Sequence, residues 1–150
     1  MFDAIRDQLQ KAVPFASTVG VEILEVGPGT ARVALDPRPA LVNHLGALHA
    51  GALFTLGEAA SGAAMTGAFA AEILSLRAVT AESTVRYLKL AKSRVEARAT
   101  TGEPAAALNV KLRADGSLRF PVTVDILDDV GAAIAVMQFD WHVKRLDRQG

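Results

Sequence analysis

The stretch from Asn43 to Met65, "NHLGALHAGALFTLGEAASGAAM", constrains the fold more than any other part of the chain. It consists almost wholly of Gly, Ala, Leu and other apolar residues, has His44 and His49 near its start, and carries one carboxylate, Glu58, in its middle. It shows no two-residue alternation and is too long for one strand, so its pattern predicts a long helix over 47–71. A helix that is apolar all round is expected to be buried all round. Gly57, Gly62 and Gly67 recur at five-residue spacing among Ala59, Ala60, Ala63 and Ala64. Each interior glycine costs about 1 kcal/mol against alanine. That cost fits a sheet whose backbone approaches closely and curls round the helix, although a merely Ala-rich core helix carries the same residues.

The flanking segments supply the sheet. Phe2, Ile5, Leu9 and Val13 recur at helical spacing between polar residues, which predicts an N-terminal amphipathic helix over 1–13 ending before Pro14. "VGVEILEVGPGTARVALDP" alternates on either side of Gly27, Pro28 and Gly29 and reads as a hairpin. After Ala78 the pattern is extended: Val85 and Tyr87, then Val95, Ala97 and Ala99, then Phe120, Val122, Val124 and Ile126, then Ala133 to Val143, each alternating with polar neighbours. The segment 103–117 fits either a helix, from Pro104 and the pair Leu108 and Leu112, or a strand, from Leu108, Val110 and Leu112. With no helix-length crossover between every pair of strands, the order predicts an α+β class: one domain over 1–150, an antiparallel sheet packed on one helix.

Composition removes several functions. The chain has 150 residues, enough for one core of good size. Apolar residues make up 51% and charged residues 21%, which argues for an ordered domain. Sixteen basic and sixteen acidic residues cancel, so neither nucleic acid nor a membrane surface is an expected partner. There is no cysteine, which excludes disulfides, thiolate nucleophiles and Cys-based metal sites and fits a cytoplasmic protein. The N-terminus does not read as a signal peptide, and no stretch reads as a transmembrane span. The histidines His44, His49 and His142 lack metal-ligand spacing, so no metal is expected. Ser61 and Ser83 lack the context of a serine hydrolase, and "VGPGTAR" lacks the Lys-Ser/Thr of a nucleotide loop.

Glu58 is then the anomaly. A carboxylate in an apolar core raises its pKa or finds a partner. Either it pairs with Arg77, Arg86 or Arg94, or it faces a cleft where chemistry happens. The Gly-rich start of the helix, "GALHAG", offers free backbone N–H groups at a positive dipole end, where a carbonyl or oxyanion would be stabilised. Glu58 lies eight residues beyond Ala50, roughly 12 Å along a helix axis. Both groups reach one atom only if the first turn is distorted or the acid comes from the opposite subunit.

These residues resemble the hotdog-fold thioesterases, over about Val19 to Lys144. "NHLGALHAGALFTLGE" is similar to the phenylacetate-pathway type, whose pattern is an Asn, then His-Gly-Gly, then an acid at the end of the apolar run. His49, Ala50 and Gly51 fall on the His-Gly-Gly, with Ala in place of the first Gly. Glu58 falls on the acid, where that type has Asp, and Asn43 on the Asn. The "VTAESTVRYLKLAKSRVEARA" segment resembles the strand pair after the helix. The resemblance implies a hotdog fold, a curved antiparallel sheet wrapped round one central helix, with active sites at a dimer interface. It implies an acyl-CoA thioesterase working with water and without a cofactor, coenzyme A being part of the substrate. The N–H of Ala50, with that of Gly51, would hold the thioester carbonyl. Glu58 would serve as base or nucleophile, Asn43 would orient water or carbonyl, and Thr80 would assist the acid. His49 would cap the helix or line the substrate site. Arg86, Lys89, Lys92 and Arg94 would contact coenzyme A phosphates, or would simply guard a solvated strand edge. A homodimer or a dimer of dimers is expected. Two rival functions remain: a non-catalytic acyl-CoA or fatty-acid binder on the same fold, and a hotdog dehydratase or hydratase. The latter needs a His placed with the acid in a way this sequence does not show.

Overall fold

The computed structural model describes residues 1–147. The apolar stretch forms helix α3, Ala50–Ala68, shorter at both ends than the predicted 47–71. His49 caps the helix, so Ala47 and Leu48 stay outside it, Leu48 bridging to Val42. At the other end Phe69 leaves helical geometry.

The N-terminal periodicity forms α1, Phe2–Ala12, whose Phe2, Ile5 and Leu9 pack on the core. The chain does not then enter the hairpin directly. Pro14, which ends α1, also begins a second short helix, α2, Pro14–Val19, because its fixed φ and missing N–H suit the first helical position. Gly20 closes α2 in the left-handed region with its N–H on the Ala16 carbonyl.

The hairpin follows as β1, Glu22–Gly27, and β2, Thr30–Leu35, turning through Pro28 and Gly29. Gly29, at φ 82°, supplies the conformation the turn requires. Beyond α3 come β3 (Leu76–Tyr87), β4 (Val95–Thr100), α4 (Ala105–Asp115), β5 (Ser117–Leu127) and β6 (Ala133–Arg145). The segment open to two readings is thus a helix. Leu108 and Leu112, one turn apart, are fully buried, whereas Val110 is 62% exposed. A strand would have placed all three on one face.

All six strands form one antiparallel sheet in the order β1-β2-β4-β5-β6-β3. Helix α3 packs against β1, β2, β4, β5 and β6 and so is enclosed by the sheet's curvature. This is the hotdog architecture. Five residues advance about 140° round a helix, so the three glycines point in different directions, and each meets the sheet. A β-carbon on Gly57 would overlap the Met137 sulfur, and one on Gly62 would lie 3.2 Å from the Trp141 ring. At Gly67 it would overlap the carbonyl oxygen of Gly27, at the hairpin end.

Enclosure is incomplete. Gly51 is exposed and Phe54, Glu58, Ala59 and Gly62 are only half-buried, leaving a stripe along α3 that the sheet does not cover. The two sheet edges also differ. At β1 the Gln10 side chain of α1 donates to the Val21 carbonyl (2.8 Å) and accepts from the Ile23 N–H (2.7 Å), occupying the edge. β3, twelve residues long, is exposed along most of its length.

Because Gly67 meets rigid backbone and Gly62 a side chain, the two alanine substitutions should differ. Gly67→Ala should cost about 2 kcal/mol or more through overpacking. Gly62→Ala should cost less, since alanine's helix propensity returns up to about 1 kcal/mol. Urea denaturation of both variants checks the order.

Candidate functional site

The uncovered stripe of α3 holds Glu58. Among the described residues its carboxylate forms no ion pair, and the arginines that could have neutralised it are engaged elsewhere or face solvent. Arg94 binds Asp36 (2.7 Å) and Glu22 (3.0 Å), and Arg77 and Arg86 are exposed on β3. Burial without a partner raises the Glu58 pKa above the ordinary carboxyl range, because the charged form loses hydration.

Glu58 lines a cavity of about 210 Å³. Its other walls include Leu9 of α1, Ala16 of α2, Val13 at their junction, Ile23 of β1 and Trp141 of β6. Trp141 is held by its own polar tip: its indole N–H donates to the Ser61 hydroxyl (3.0 Å), which donates to the backbone carbonyl of Glu58 (2.8 Å). Neither Trp141 nor the N-terminal helices were among the expected site residues. The only signal for them was the apolar face of α1, which marks a packing surface without saying what it packs on. A larger, open depression among Glu72, Ser75, Lys144 and Arg145 lies elsewhere, and there Glu72 is paired to Arg145 (2.9 Å).

The start of α3 is a second polar centre. Asn43 Oδ1 accepts from the N–H groups of Leu45 (2.9 Å) and Ala47 (3.2 Å), forming the turn that leads to the helix. The His49 carbonyl accepts from Ala52 and Leu53, and its Nδ1 accepts from the Gly51 N–H (2.8 Å). Of the two amides expected to share one carbonyl, one is already engaged. Gly51 is satisfied by the capping imidazole, and of the two only the Ala50 N–H lacks a partner among the described residues. The first turn is regular, so Ala50 and Glu58 of one chain stay roughly 12 Å apart along the axis.

The remaining candidates divide. The loop after β3 is tied to the helix start, with the Leu48 N–H on the Ala91 carbonyl (2.8 Å) and the Tyr87 hydroxyl on the Ala50 carbonyl (3.3 Å). This carries the exposed Arg86, Lys89 and Lys92 to the flank of that centre. Arg94 is drawn into its carboxylate pairs instead. Thr80 is exposed on β3, opposite Trp141 in the β3–β6 register, and does not line the cavity. Among the described residues no group of acids and histidines could hold a metal ion, and no helix is long and apolar enough to cross a membrane.

The family model described as "Domain of unknown function (DUF4442)" matches residues 3–143. No curated protein matches the chain. Among solved structures, a Pseudomonas aeruginosa protein of unknown function, PA5026, described as a probable thioesterase, is 22% identical, with a TM-score of 0.83 over 96% of this chain and 95% of that one. The Escherichia coli PaaI protein from the phenylacetic acid degradation operon is 17% identical, with a TM-score of 0.74 over 98% and 97%. A hypothetical thioesterase from Streptococcus pneumoniae, solved with coenzyme A, is 23% identical, with a TM-score of 0.66 over 84% and 87%. At these identities the likeness establishes a shared hotdog fold.

The raised Glu58 pKa has a consequence for stability. The folded state binds the proton more tightly than the unfolded chain, so the acid costs nothing below the unfolded value, about 4.3. The cost grows as pH rises towards the folded value and is complete above it. Glu58→Gln should therefore melt higher than the parent at pH 8, and the gap should close by pH 4. Thermal unfolding of both proteins across that range tests this.

Proposed function

The chain belongs to the DUF4442 family, and from its site we propose that it is an acyl-CoA thioesterase that hydrolyses the thioester to a free acid and coenzyme A in the cytoplasm. One observation carries this reading: the Glu58 carboxylate has no partner among the described residues and lines an apolar cavity. A structural acid in such a place would be paired, whereas a general base benefits from a pKa moved towards neutrality. The thioesterase descriptions of structures sharing the fold support the same reading.

In this mechanism the thioester carbonyl oxygen accepts from the Ala50 N–H at the positive end of α3, which stabilises the negative charge that develops on it. Glu58 takes a proton from a water molecule, whose oxygen attacks the carbonyl carbon. The tetrahedral intermediate collapses by breaking the C–S bond, and the thiolate of coenzyme A leaves and is protonated. The Asn43 amide orients the water or the carbonyl. Arg86, Lys89 and Lys92 hold coenzyme A phosphates beside the helix start. The separation of Ala50 from Glu58 within one chain calls for a second copy to complete each site. The free edge of β3 supplies the means, since an unpaired strand edge templates pairing with another chain. Thr80, on that strand, serves only a site built from two copies.

The second reading, a non-catalytic acyl-CoA binder, is favoured by the loss of the Gly51 amide to His49, which leaves one donor for the carbonyl. Thermal stabilisation by acyl-CoA without thiol release identifies it.

A thiol-release assay on a panel of acyl-CoAs separates the two. Glu58→Ala should lower kcat at least about 100-fold while the circular dichroism spectrum stays that of the parent. Turnover at the parent rate eliminates Glu58 as the base. Sedimentation equilibrium should give a dimer or a multiple of it, and a monomer with full activity rules out the shared site.

A further inference from the structure

Building on the hydrolase reading, we propose that the cavity beside Glu58, closed by the N-terminal helices and floored by Trp141, is the acyl-chain site, and that it takes an uncharged, apolar acyl group of about six to eight carbons. The size follows from the volume. The cavity measures about 210 Å³, and an apolar cavity of about 150 Å³ already accommodates benzene.

The charge preference follows from the lining. Glu58 is the only ionisable residue among the described residues that line it. Gln10, the other strongly polar side chain there, has both ends of its amide committed to Val21 and Ile23. An acyl group bearing a second carboxylate would enter an apolar space without a cation and beside a carboxylate of like charge, which is doubly unfavourable.

The boundary is set by identifiable residues. Trp141 cannot easily retreat, because its indole N–H is fixed on Ser61 and its ring lies against Gly62. Leu9 of α1, Ala16 of α2 and Val13 at their junction also line it. The two short helices before the hairpin thus act as the specificity element, and Ala16 and Leu9 are its adjustable members. Enlarging Ala16 shortens the space, and truncating Leu9 extends it.

The test reads two quantities on the parent, Ala16→Phe and Leu9→Ala: kcat/KM for saturated acyl-CoAs from acetyl to dodecanoyl and for succinyl- and glutaryl-CoA, and thermal stabilisation by the matching free acids. For the parent, both should peak near hexanoyl to octanoyl, with the diacid thioesters at least about tenfold poorer. Ala16→Phe should lower the octanoyl-to-butanoyl ratio at least about tenfold, the effect of one or more methylenes in an apolar pocket. Leu9→Ala should raise the dodecanoyl-to-octanoyl ratio. Ala16→Leu is the milder substitution if Ala16→Phe lowers the melting temperature sharply. Turnover with no length dependence, or with ratios unmoved by both wall variants, overturns the chain site and leaves the hydrolase reading intact. Stabilisation by free acids with the expected length dependence and wall response, but no thiol release from any substrate, upholds the chain site and overturns the hydrolase reading. Absence of both overturns both.

Discussion

The close approach of α3 to the sheet is the constraint on which the rest of this structure depends. Gly67 lies against the carbonyl of Gly27, and Gly57 and Gly62 lie against side chains of β6. The helix therefore touches the sheet in several directions, and the sheet must curve to follow it. Small residues forfeit helix propensity and some buried apolar area, and here the loss is offset by dense contact with the enclosing strands. That curvature also fixes the order β1-β2-β4-β5-β6-β3 round the helix and leaves β3 as the open edge.

One sheet cannot surround a helix completely, and Glu58 lies in the remaining gap. The stripe from Gly51 through Phe54 and Glu58 to Gly62 is only partly covered by the strands, with Phe54 against Phe139 and Gly62 against Trp141. The lower part of it, around Glu58, is covered in part by α1 and α2 and in part by Ile23, Ala78 and Trp141 of the sheet. Two short helices make a looser cover than a hydrogen-bonded ladder, so a cavity persists there with an acid in its wall. The upper part, at the start of α3, is bordered by the basic loop after β3. The Glu58 carboxylate and the Ala50 amide are thus held on one helix, roughly 12 Å apart along its axis.

The motif residues were legible because their chemistry is local. His49 as the helix cap, Asn43 before it and Glu58 in the apolar run follow from residue type and spacing along a few turns. The engagement of the Gly51 amide is not legible there, because the capping geometry that presents the helix start also turns the His49 ring back onto it. Arg94 reads as one of four neighbouring cations in the sequence. In the fold it meets Glu22 and Asp36, which are far from it along the chain. Helix α2 was hidden because Pro14 was taken only as a stop, whereas proline both ends one helix and starts another. The segment 103–117 stayed ambiguous because Leu108, Val110 and Leu112 fit either period, and only the core, which admits two of them, decides.

The sequence by itself determined the class of fold, the central helix, the alternating strands and the identity of the acid, because periodicity and the cost of burying charge are properties of residue types at fixed spacings. Tertiary structure alone decided that Glu58 goes unpaired among the described residues, that Trp141 and the N-terminal helices border the space in front of it, and that β3 is exposed along its edge. Those outcomes depend on which segments distant along the chain come together once the sheet bends, and sheet curvature is a collective result of packing that no local pattern records.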